Sequence, residues 1–295
     1  MAALPSAPNA RRCTAPGAPD SGSPAARVPV RRSGPHAGIL ANPTLHAVRL
    51  RHRRLPFARP RVRMRGRSHG GRAGDMSARR VTVRHTRAED IASLIELQRR
   101  TYPTIPPWSP EKFASQQEIF PQGQVVAELD GRIVGAASSL IVLWDEWPVE
   151  HSWKEITGSG SFHTHTPQGR TLYGAEVFGD RALRGKGVGR ELYRARRRIC
   201  RALNLKRIIA CGRLPGYAAH ASEMTADLYC KKVLWGDLSD AVLSFQLREG
   251  FRFCGVVEGY LPQDTESCGF ASLIVWLNPK YDRSRPTRVP EGGIL

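Results

Sequence analysis

The sequence predicts a mixed α/β (α+β) fold in which helices flank a mostly antiparallel sheet that contains one parallel pair of strands. Three observations predict this class. From residue 81 onward, apolar β-branched runs alternate with stretches of helical periodicity. Asp130 and Gly131 separate two such runs, which is typical of an antiparallel hairpin. A helical crossover joins "TLYGAEVF" to "KRIIACG", which predicts the parallel pair.

The first half of the domain follows in the order of these patterns. "RVTVRH" alternates as a strand, and Ile91, Leu94 and Ile95 then recur at helical spacing. Ser109 followed by Pro110 is an N-cap ahead of a proline at the first helical position, which predicts a second helix. The hairpin "QVVAELDGRIVGAASSLIVLW" comes next.

The second half adds four strands and two helices, the first of which is long. "TLYGAEVF" is the strand, and "KRIIACG" follows the helix as a buried strand. Segment 213–237 then precedes an expected helix, "DLSDAVLSFQLREGF", and the strands "FRFCGVVEGY" and "FASLIVWL" complete the domain. The long helix is predicted to be amphipathic, with an apolar face formed by Val188, Leu192, Ala195, Ile199 and Leu203.

Residues 1–76 differ in composition from the rest of the chain. They contain fifteen arginines and two aspartates, so they carry +13 of the formal charge of +19. They show no apolar pattern that could build a core, and we predict that they are disordered. Three explanations of this segment stay open: it is sequence upstream of a natural start at Met76, an organelle transit peptide, or a basic arm that binds nucleic acid weakly. Residues 77–281 form the predicted domain, and 282–295 a flexible tail.

Membrane, secreted and metal-binding classes are not favoured. No run approaches the roughly 18 apolar residues of a membrane span, so no membrane association is predicted. The six cysteines contain no CxxC pair and follow no secretory leader, so we expect reduced thiols in a cytoplasmic protein. His163 and His165 have no third ligand near in sequence, so they are interpreted as polar loop histidines and no metal is expected.

The stretch "RALRGKGVGR" places three glycines on alternate positions at the start of a helix. Free N–H groups at a helix N-terminus, with no Cβ atoms in the way, suit a phosphate. A Walker A loop is excluded because Gly179 to Gly185 is one residue too long and Lys186 is followed by Gly187. A dinucleotide-binding fingerprint is excluded because Arg190 stands where its third glycine belongs.

The pattern that does match is R-x-x-G-x-G, with Arg184, Gly187 and Gly189 opening the helix. It resembles the acyl-CoA-binding motif of the GNAT superfamily of N-acyltransferases, and the order of elements over 80–278 is similar to the GNAT order. "AVLSFQLREGF", ending at Phe251, resembles the second signature of the family. "TLYGAEVF", "GRLPGY" and "FQLREGF" also resemble the acyltransferase half of bacterial GNAT/carbon–nitrogen hydrolase fusion proteins, of which this chain is expected to be a stand-alone version.

The resemblance implies a GNAT-like sheet whose parallel strands splay apart. It also implies acetyl-CoA, or another acyl-CoA, as co-substrate and an amine as acceptor. The pyrophosphate of CoA would lie on the N–H groups of the loop, and the pantetheine arm would pair with the end of the preceding strand. The implied donor-binding residues are Val177, Phe178, Gly179, Arg184, Gly185, Lys186, Gly187, Val188, Gly189 and Arg190.

Glu176 is the acid on the strand "TLYGAEVF", and a carboxylate in an apolar strand needs a partner or a function. The resemblance implies a general base there, and a structural salt bridge or hydrogen bond is the alternative.

Gln246 replaces the tyrosine that often serves the family as general acid, and glutamine cannot protonate a thiolate. The candidate general acids in its place are Tyr217 and Tyr229, both within 213–237, and Tyr217 is preferred. Proton transfer through water is the alternative.

The sequence therefore predicts an N-acetyltransferase or, more broadly, an acyl-CoA-dependent N-acyltransferase that acts on a primary amine of a small molecule or a protein. Two functions of other classes stay open. Gln246 favours an acyl-CoA-binding sensor without turnover, and the basic segment favours a protein associated with nucleic acid. Segment 213–237 is expected to shape either the acceptor pocket or a homodimer contact.

Overall fold

The computed structural model describes residues 80–103, 105–287 and 294–295. The segment 1–76, predicted to be disordered, lies outside these ranges, as does part of the predicted tail. The strands of the described residues are Thr82–His85 (β1), Gln124–Leu129 (β2), Arg132–Val142 (β3), Thr171–Gly179 (β4), Arg207–Arg213 (β5), Arg252–Val257 (β6) and Ala271–Leu277 (β7). Together they form a 7-stranded sheet in the order β1-β2-β3-β4-β5-β7-β6.

The α-helices of the same ranges are Ile91–Thr101 (α1), Pro110–Ile119 (α2), Trp153–Ile156 (α3), Val188–Ala202 (α4), Ala226–Trp235 (α5) and Leu243–Arg248 (α6). Ser109 is the N-cap residue of α2, which confirms that prediction. None of the helices in the described ranges has the length and apolarity that a bilayer crossing requires.

Two helices of the second half differ from expectation. The structure has α5 inside segment 213–237, where no helix was predicted. Thr225 caps α5 by accepting a hydrogen bond from Leu228 N, and Gly236 ends it with φ +87°. The helix expected over 237–251 is much shorter, because the Asp240 side chain accepts hydrogen bonds from Val242 N and Leu243 N, where α6 begins, and so holds the chain before α6 in a loop.

Strands β4 and β5 are the parallel pair, and every other pairing of neighbouring strands in the sheet is antiparallel. The pairing of β4 with β5 runs from Thr171 opposite Arg207 to Gly174 opposite Ala210. Beyond that point β4 and β5 continue without pairing with each other, so a gap opens between them. The predicted mixed sheet with one splayed parallel pair is confirmed.

Helices cover the sheet on both faces. Val125 and Ala137 belong to the core cluster that contains the buried side of α4, whereas Val126 and Ala136 belong to the cluster of α1. Because successive side chains of a strand point to opposite faces, α1 and α4 lie on opposite faces. We call these the α1 face and the α4 face. Helices α5 and α6 share the α4 cluster.

A β-bulge lies in β4 at the point where the gap opens. The register with β3 shifts so that Ala175 has no partner, between Gly174 and Glu176. Its carbonyl accepts a hydrogen bond from Trp153 Nε1 at 3.0 Å. Strict alternation would put Glu176 on the same face as Gly174, which faces α4. The extra residue instead turns Glu176 toward the α1 face.

Candidate active site

The loop between β4 and α4 has the backbone geometry of an anion site. Gly185 and Gly187 have φ of +80° and +90°, a left-handed conformation that residues with a side chain rarely adopt. Gly187 is the N-cap residue of α4, and its carbonyl accepts the first helical hydrogen bond, from Glu191 N at 3.0 Å. The amides of 188–190 therefore have no partner within the helix and are oriented toward the loop.

The third glycine of the loop serves a different purpose. A Cβ atom on Gly189 would lie 3.1 Å from a ring carbon of Phe245, so this glycine allows α4 and α6 to pack closely. Arg184, Lys186 and Arg190 are exposed around the loop. The loop thus combines unpaired amides, the positive end of a helix dipole and three cationic side chains.

Glu176 lies at the gap between β4 and β5, on the α1 face. Its Oε1 accepts hydrogen bonds from Tyr102 Oη and from Val177 N, each at 3.1 Å. Burial raises the pKa of the Glu176 carboxyl, while the hydrogen bonds and the charges of Arg213 and Arg196 oppose the rise. A carboxyl with a raised pKa at the gap between two strands suits a general base.

Tyr102, the residue that follows α1, was not identified from the sequence. Its ring centroid lies 6.4 Å from that of Phe178 and 5.8 Å from Arg213 Cζ. Burial and the neighbouring Glu176 carboxylate raise its pKa well above the ordinary value. It precedes Glu176 by 74 residues, and no motif around it signals the contact.

Arg213 ends β5 on the other side of the gap and is held by two acids. Its Nε donates to Asp264 Oδ2 at 2.6 Å, and its Nη2 contacts Asp264 Oδ1 and donates to Glu266 Oε2 at 2.9 Å. Although burial disfavours the charge, these carboxylates raise the pKa of Arg213. Arg213 is therefore a fixed cation on the wall opposite Glu176.

Arg196 of α4 is 2% exposed, and it was not identified from the sequence. Its Nη2 donates to the carbonyls of Ser138 and Glu176 at 3.0 and 2.7 Å, and its Nε donates to Ser139 Oγ at 3.0 Å. It therefore bridges the two strands at the bulge. The spacing from Leu192 and Ile199 places Arg196 in the apolar stripe, a signal that could have identified it.

Tyr217 and Tyr229, the candidate acids, pack against each other with ring centroids 5.5 Å apart. Tyr217 Oη donates to the carbonyl of Met224 at 3.2 Å, and Tyr229 Oη donates to Asp240 Oδ2 at 3.0 Å. Both side chains are buried. The structure thus gives each hydroxyl a partner in the neighbouring loops and brings Tyr102, rather than either of these two, to Glu176.

The two loop histidines have structural partners. His165 stacks on Phe120 with centroids 4.7 Å apart, and its Nδ1 accepts from Ile141 N at 3.1 Å. Burial lowers the pKa of His165 to about 4. His163 Nδ1 lies 2.7 Å from Ser161 Oγ. The described part of the chain contains no group of three or more His, Cys, Asp or Glu side chains that could hold a metal ion.

Comparisons with known proteins identify the family of the chain. The family model described as acetyltransferase (GNAT) family matches residues 91–222. The chain is 34% identical over 208 residues to "Uncharacterized N-acetyltransferase YkwB" of Bacillus subtilis (strain 168), which covers 69% of this chain and 92% of that relative. It is 40% identical over 203 residues to "Probable hydrolase YhcX" of the same organism, and this match spans 69% of the chain but 40% of that relative's length.

A solved structure shares the fold. The loading GNATL domain of CurA from Lyngbya majuscula has a TM-score of 0.59 and 22% identity, with 68% of this chain and 98% of that chain covered. The match to nearly the full length of YkwB supports membership of a sequence family as well as a shared fold. The chain belongs to the acetyltransferase (GNAT) family.

Proposed function

We propose that the protein transfers an acetyl or other acyl group from CoA to a primary amine of a small molecule or a protein, with Glu176 as the general base. As a family member it is an acyltransferase, and its donor is an acyl-CoA thioester. One observation carries the proposal about the site. The Glu176 carboxyl, whose pKa is raised, lies where the parallel strands part.

The donor would bind along the loop and the gap. The unpaired amides of 188–190 suit the pyrophosphate, and Arg184 and Lys186 add positive charge at its rim. Val177 to Gly179 lie beyond the last pair of β4 with β5, so this edge of β4 offers backbone groups to the pantetheine arm. The thioester would then reach the gap beside Glu176.

Acyl transfer requires a neutral amine, because an ammonium has no lone pair to attack the carbonyl carbon. In the proposed mechanism Glu176 takes a proton from the amine as the C–N bond forms. Tyr102 and Val177 N–H hold the carboxylate in position. Arg213 forms a salt bridge with Asp264 and remains charged, and its charge stabilises the ionised form of Glu176 through space.

A thiol-release assay with acetyl-CoA and a panel of primary amines tests this function. The wild-type protein is expected to release CoA with at least one amine. Glu176→Gln should lower kcat by about 10²-fold or more, with little change in the KM for acetyl-CoA. Glu118→Gln, the same chemical change on the exposed side of α2, is the control and should leave kcat unchanged.

Three other results would count against the proposal. Unchanged kcat in Glu176→Gln would remove Glu176 from the role of base. CoA binding without turnover of any amine would instead favour an acyl-CoA sensor, for which the glutamine at position 246 is the argument. Failure to bind CoA at all would contradict the use of the loop.

A further inference from the structure

A second polar pair lies on the α4 face of the gap. Gln246 of α6 is 4% exposed, and its Nε2 donates to Tyr193 Oη of α4 at 3.1 Å. Tyr193 is also 4% exposed. Gln246 Oε1 is buried and has no hydrogen-bond partner among the described residues. A buried carbonyl oxygen without a partner costs free energy, so its retention points to a ligand that brings a hydrogen-bond donor, which the amide N–H groups of the pantetheine arm supply.

The pair is located where the strands diverge. Gly212 lies two residues beyond Ala210, the last residue of β5 that pairs with β4. A Cβ atom on Gly212 would overlap the carboxamide of Gln246. On β4, a Cβ atom on Gly174 would lie 2.8 Å from Arg196 Nη1. Both strands therefore present a glycine to the α4 face at the gap, with a polar side chain directly against it.

The positions of the loop and of Glu176 decide which atom of the acyl-CoA lies near Tyr193 and Gln246. The loop is at the N-terminus of α4, whereas the Glu176 carboxyl is on the α1 face. The donor must therefore pass through the gap from the α4 face, and its sulfur lies on that side of the reacting carbonyl carbon. We propose that Tyr193 is the proton donor to the departing thiolate and that Gln246 orients its hydroxyl.

The step balances without a further reactant. The amine nitrogen bonds to the carbonyl carbon, the C–S bond breaks, and the electron pair leaves on sulfur. Tyr193 gives its phenolic proton to that sulfur and yields the thiol of CoA. The proton that Glu176 took from the amine passes to solvent, and solvent returns one proton to the phenolate of Tyr193 after CoA leaves.

Neighbouring groups support the phenolate that this step creates. Arg196 Cζ lies 5.7 Å from the centroid of the Tyr193 ring, and Gln246 donates to the phenolic oxygen. Because Gln246 donates to the phenolic oxygen, the proton of Tyr193 is available for an acceptor in the gap.

The inference rests on the proposed function, and a ligand cycle separates the two. Dissociation constants are measured for CoA and for desulfo-CoA, which lacks the sulfur, with the wild type and with Tyr193→Phe. The wild type should bind CoA more tightly than desulfo-CoA by about fivefold, the value of one ordinary hydrogen bond. Tyr193→Phe should bind the two ligands equally, with the affinity that the wild type has for desulfo-CoA.

Desulfo-CoA binding also reports that the variant is folded. Gln246→Leu is a second variant, which should reduce the preference for CoA while keeping the affinity for desulfo-CoA. With an amine found in the panel, Tyr193→Phe should lower kcat at least about tenfold at an unchanged KM for acetyl-CoA.

Other results of the same measurements would overturn the inference. An equal loss of affinity for both ligands would make Tyr193 a packing residue and overturn the inference. It would also be overturned if Tyr217→Phe or Tyr229→Phe removed the preference for CoA while Tyr193→Phe kept it. Failure of the wild type to bind either ligand would overturn the proposed function itself.

Discussion

At the scale of single residues, Glu176 is surrounded by groups from three other elements. Tyr102, next to α1, donates to its carboxylate, and Arg196 of α4 donates to its backbone carbonyl. Arg213 at the end of β5 adds a charge through space. Burial nevertheless dominates and raises the pKa of the carboxyl. The residue is thus kept ready to accept a proton by an environment that disfavours its charge.

Glu176→Gln should make the folded protein more stable at pH 7.5 while it lowers activity. The pKa of Glu176 is higher in the folded than in the unfolded chain, so the stability that it contributes is present at low pH and is lost as pH rises through the folded pKa. Glutamine stays neutral. Thermal unfolding should show a higher Tm for Glu176→Gln at pH 7.5, and the difference should narrow toward pH 4.5. A difference that does not change with pH would contradict the assignment.

Tyr102→Phe should shift the pH profile without abolishing catalysis. The hydrogen bond from Tyr102 lowers the pKa of Glu176, so its loss should raise that pKa further. The acid limb of kcat/KM should move to higher pH, with a similar plateau. A uniform loss of rate at every pH would instead indicate that Tyr102 contacts the substrate.

At the scale of elements, α4 connects the glycine loop at its N-terminus to β4, the strand that carries Glu176. Its N-terminus carries the unpaired amides, and its buried Arg196 bridges β3 and β4 at the bulge. Tyr193, on the same helix, reaches Gln246 of α6. In the proposed function, the helix that would hold the donor phosphates therefore also positions the groups on both sides of the thioester.

Gly187→Ala should weaken donor binding, because alanine at φ +90° is strained by ~1–2 kcal/mol. Gly131, at φ +72° in the β2–β3 hairpin, also has no neighbouring atom within 4 Å, so Gly131→Ala is a matched control. Both variants should lose stability in denaturant unfolding. Only Gly187→Ala should raise the KM for acetyl-CoA, and an equal KM in the two variants would contradict the role of the loop.

Arg196→Lys should lower stability and kcat together. Lysine keeps the charge, but its single ammonium cannot reproduce the planar fork that contacts both strands. We expect unfolding in urea to show a loss of about 2 kcal/mol, the scale of one buried hydrogen bond to a charged group. The KM for acetyl-CoA should hardly change. Arg198→Lys, exposed on the same helix, should match the wild type.

At the scale of the whole molecule, the charge is concentrated near the amino terminus of the sequence. Residues 1–76 carry +13 of the total of +19. The residues that the proposed mechanism uses, from Tyr102 to Asp264, all lie in the described part of the chain. The basic segment is therefore expected to influence partners rather than chemistry.

A chain shortened to begin at Ser77 should keep the kcat and the KM of the full chain. Any binding to double-stranded DNA at low salt should be lost with the fifteen arginines, because contacts to phosphates dominate such binding and weaken with salt. Fluorescence anisotropy with both chains at two salt concentrations measures this. DNA binding retained by the shortened chain would place the contact on the acyltransferase domain.

Much of the fold could be predicted from local patterns. The hairpin, the parallel pair and the amphipathic face of α4 depend on residues close in sequence, so periodicity and turn chemistry reveal them. The glycine loop at the start of α4 is also a local feature, because an anion site at a helix N-terminus depends on neighbouring residues, and its role in donor binding stays a prediction. Helix α5 was missed, since its capping residues lie in a segment without strong periodicity.

The sequence by itself determined the fold class, the glycine loop proposed to bind the donor and the candidacy of Glu176, all of which depend on neighbours in the chain. Only the tertiary structure decided where that carboxyl points, because the bulge at Ala175 reverses the alternation of β4. It also brought Tyr102 to Glu176 and Tyr193 to Gln246. Buried polar groups are satisfied by partners distant in sequence, and packing in three dimensions selects those partners.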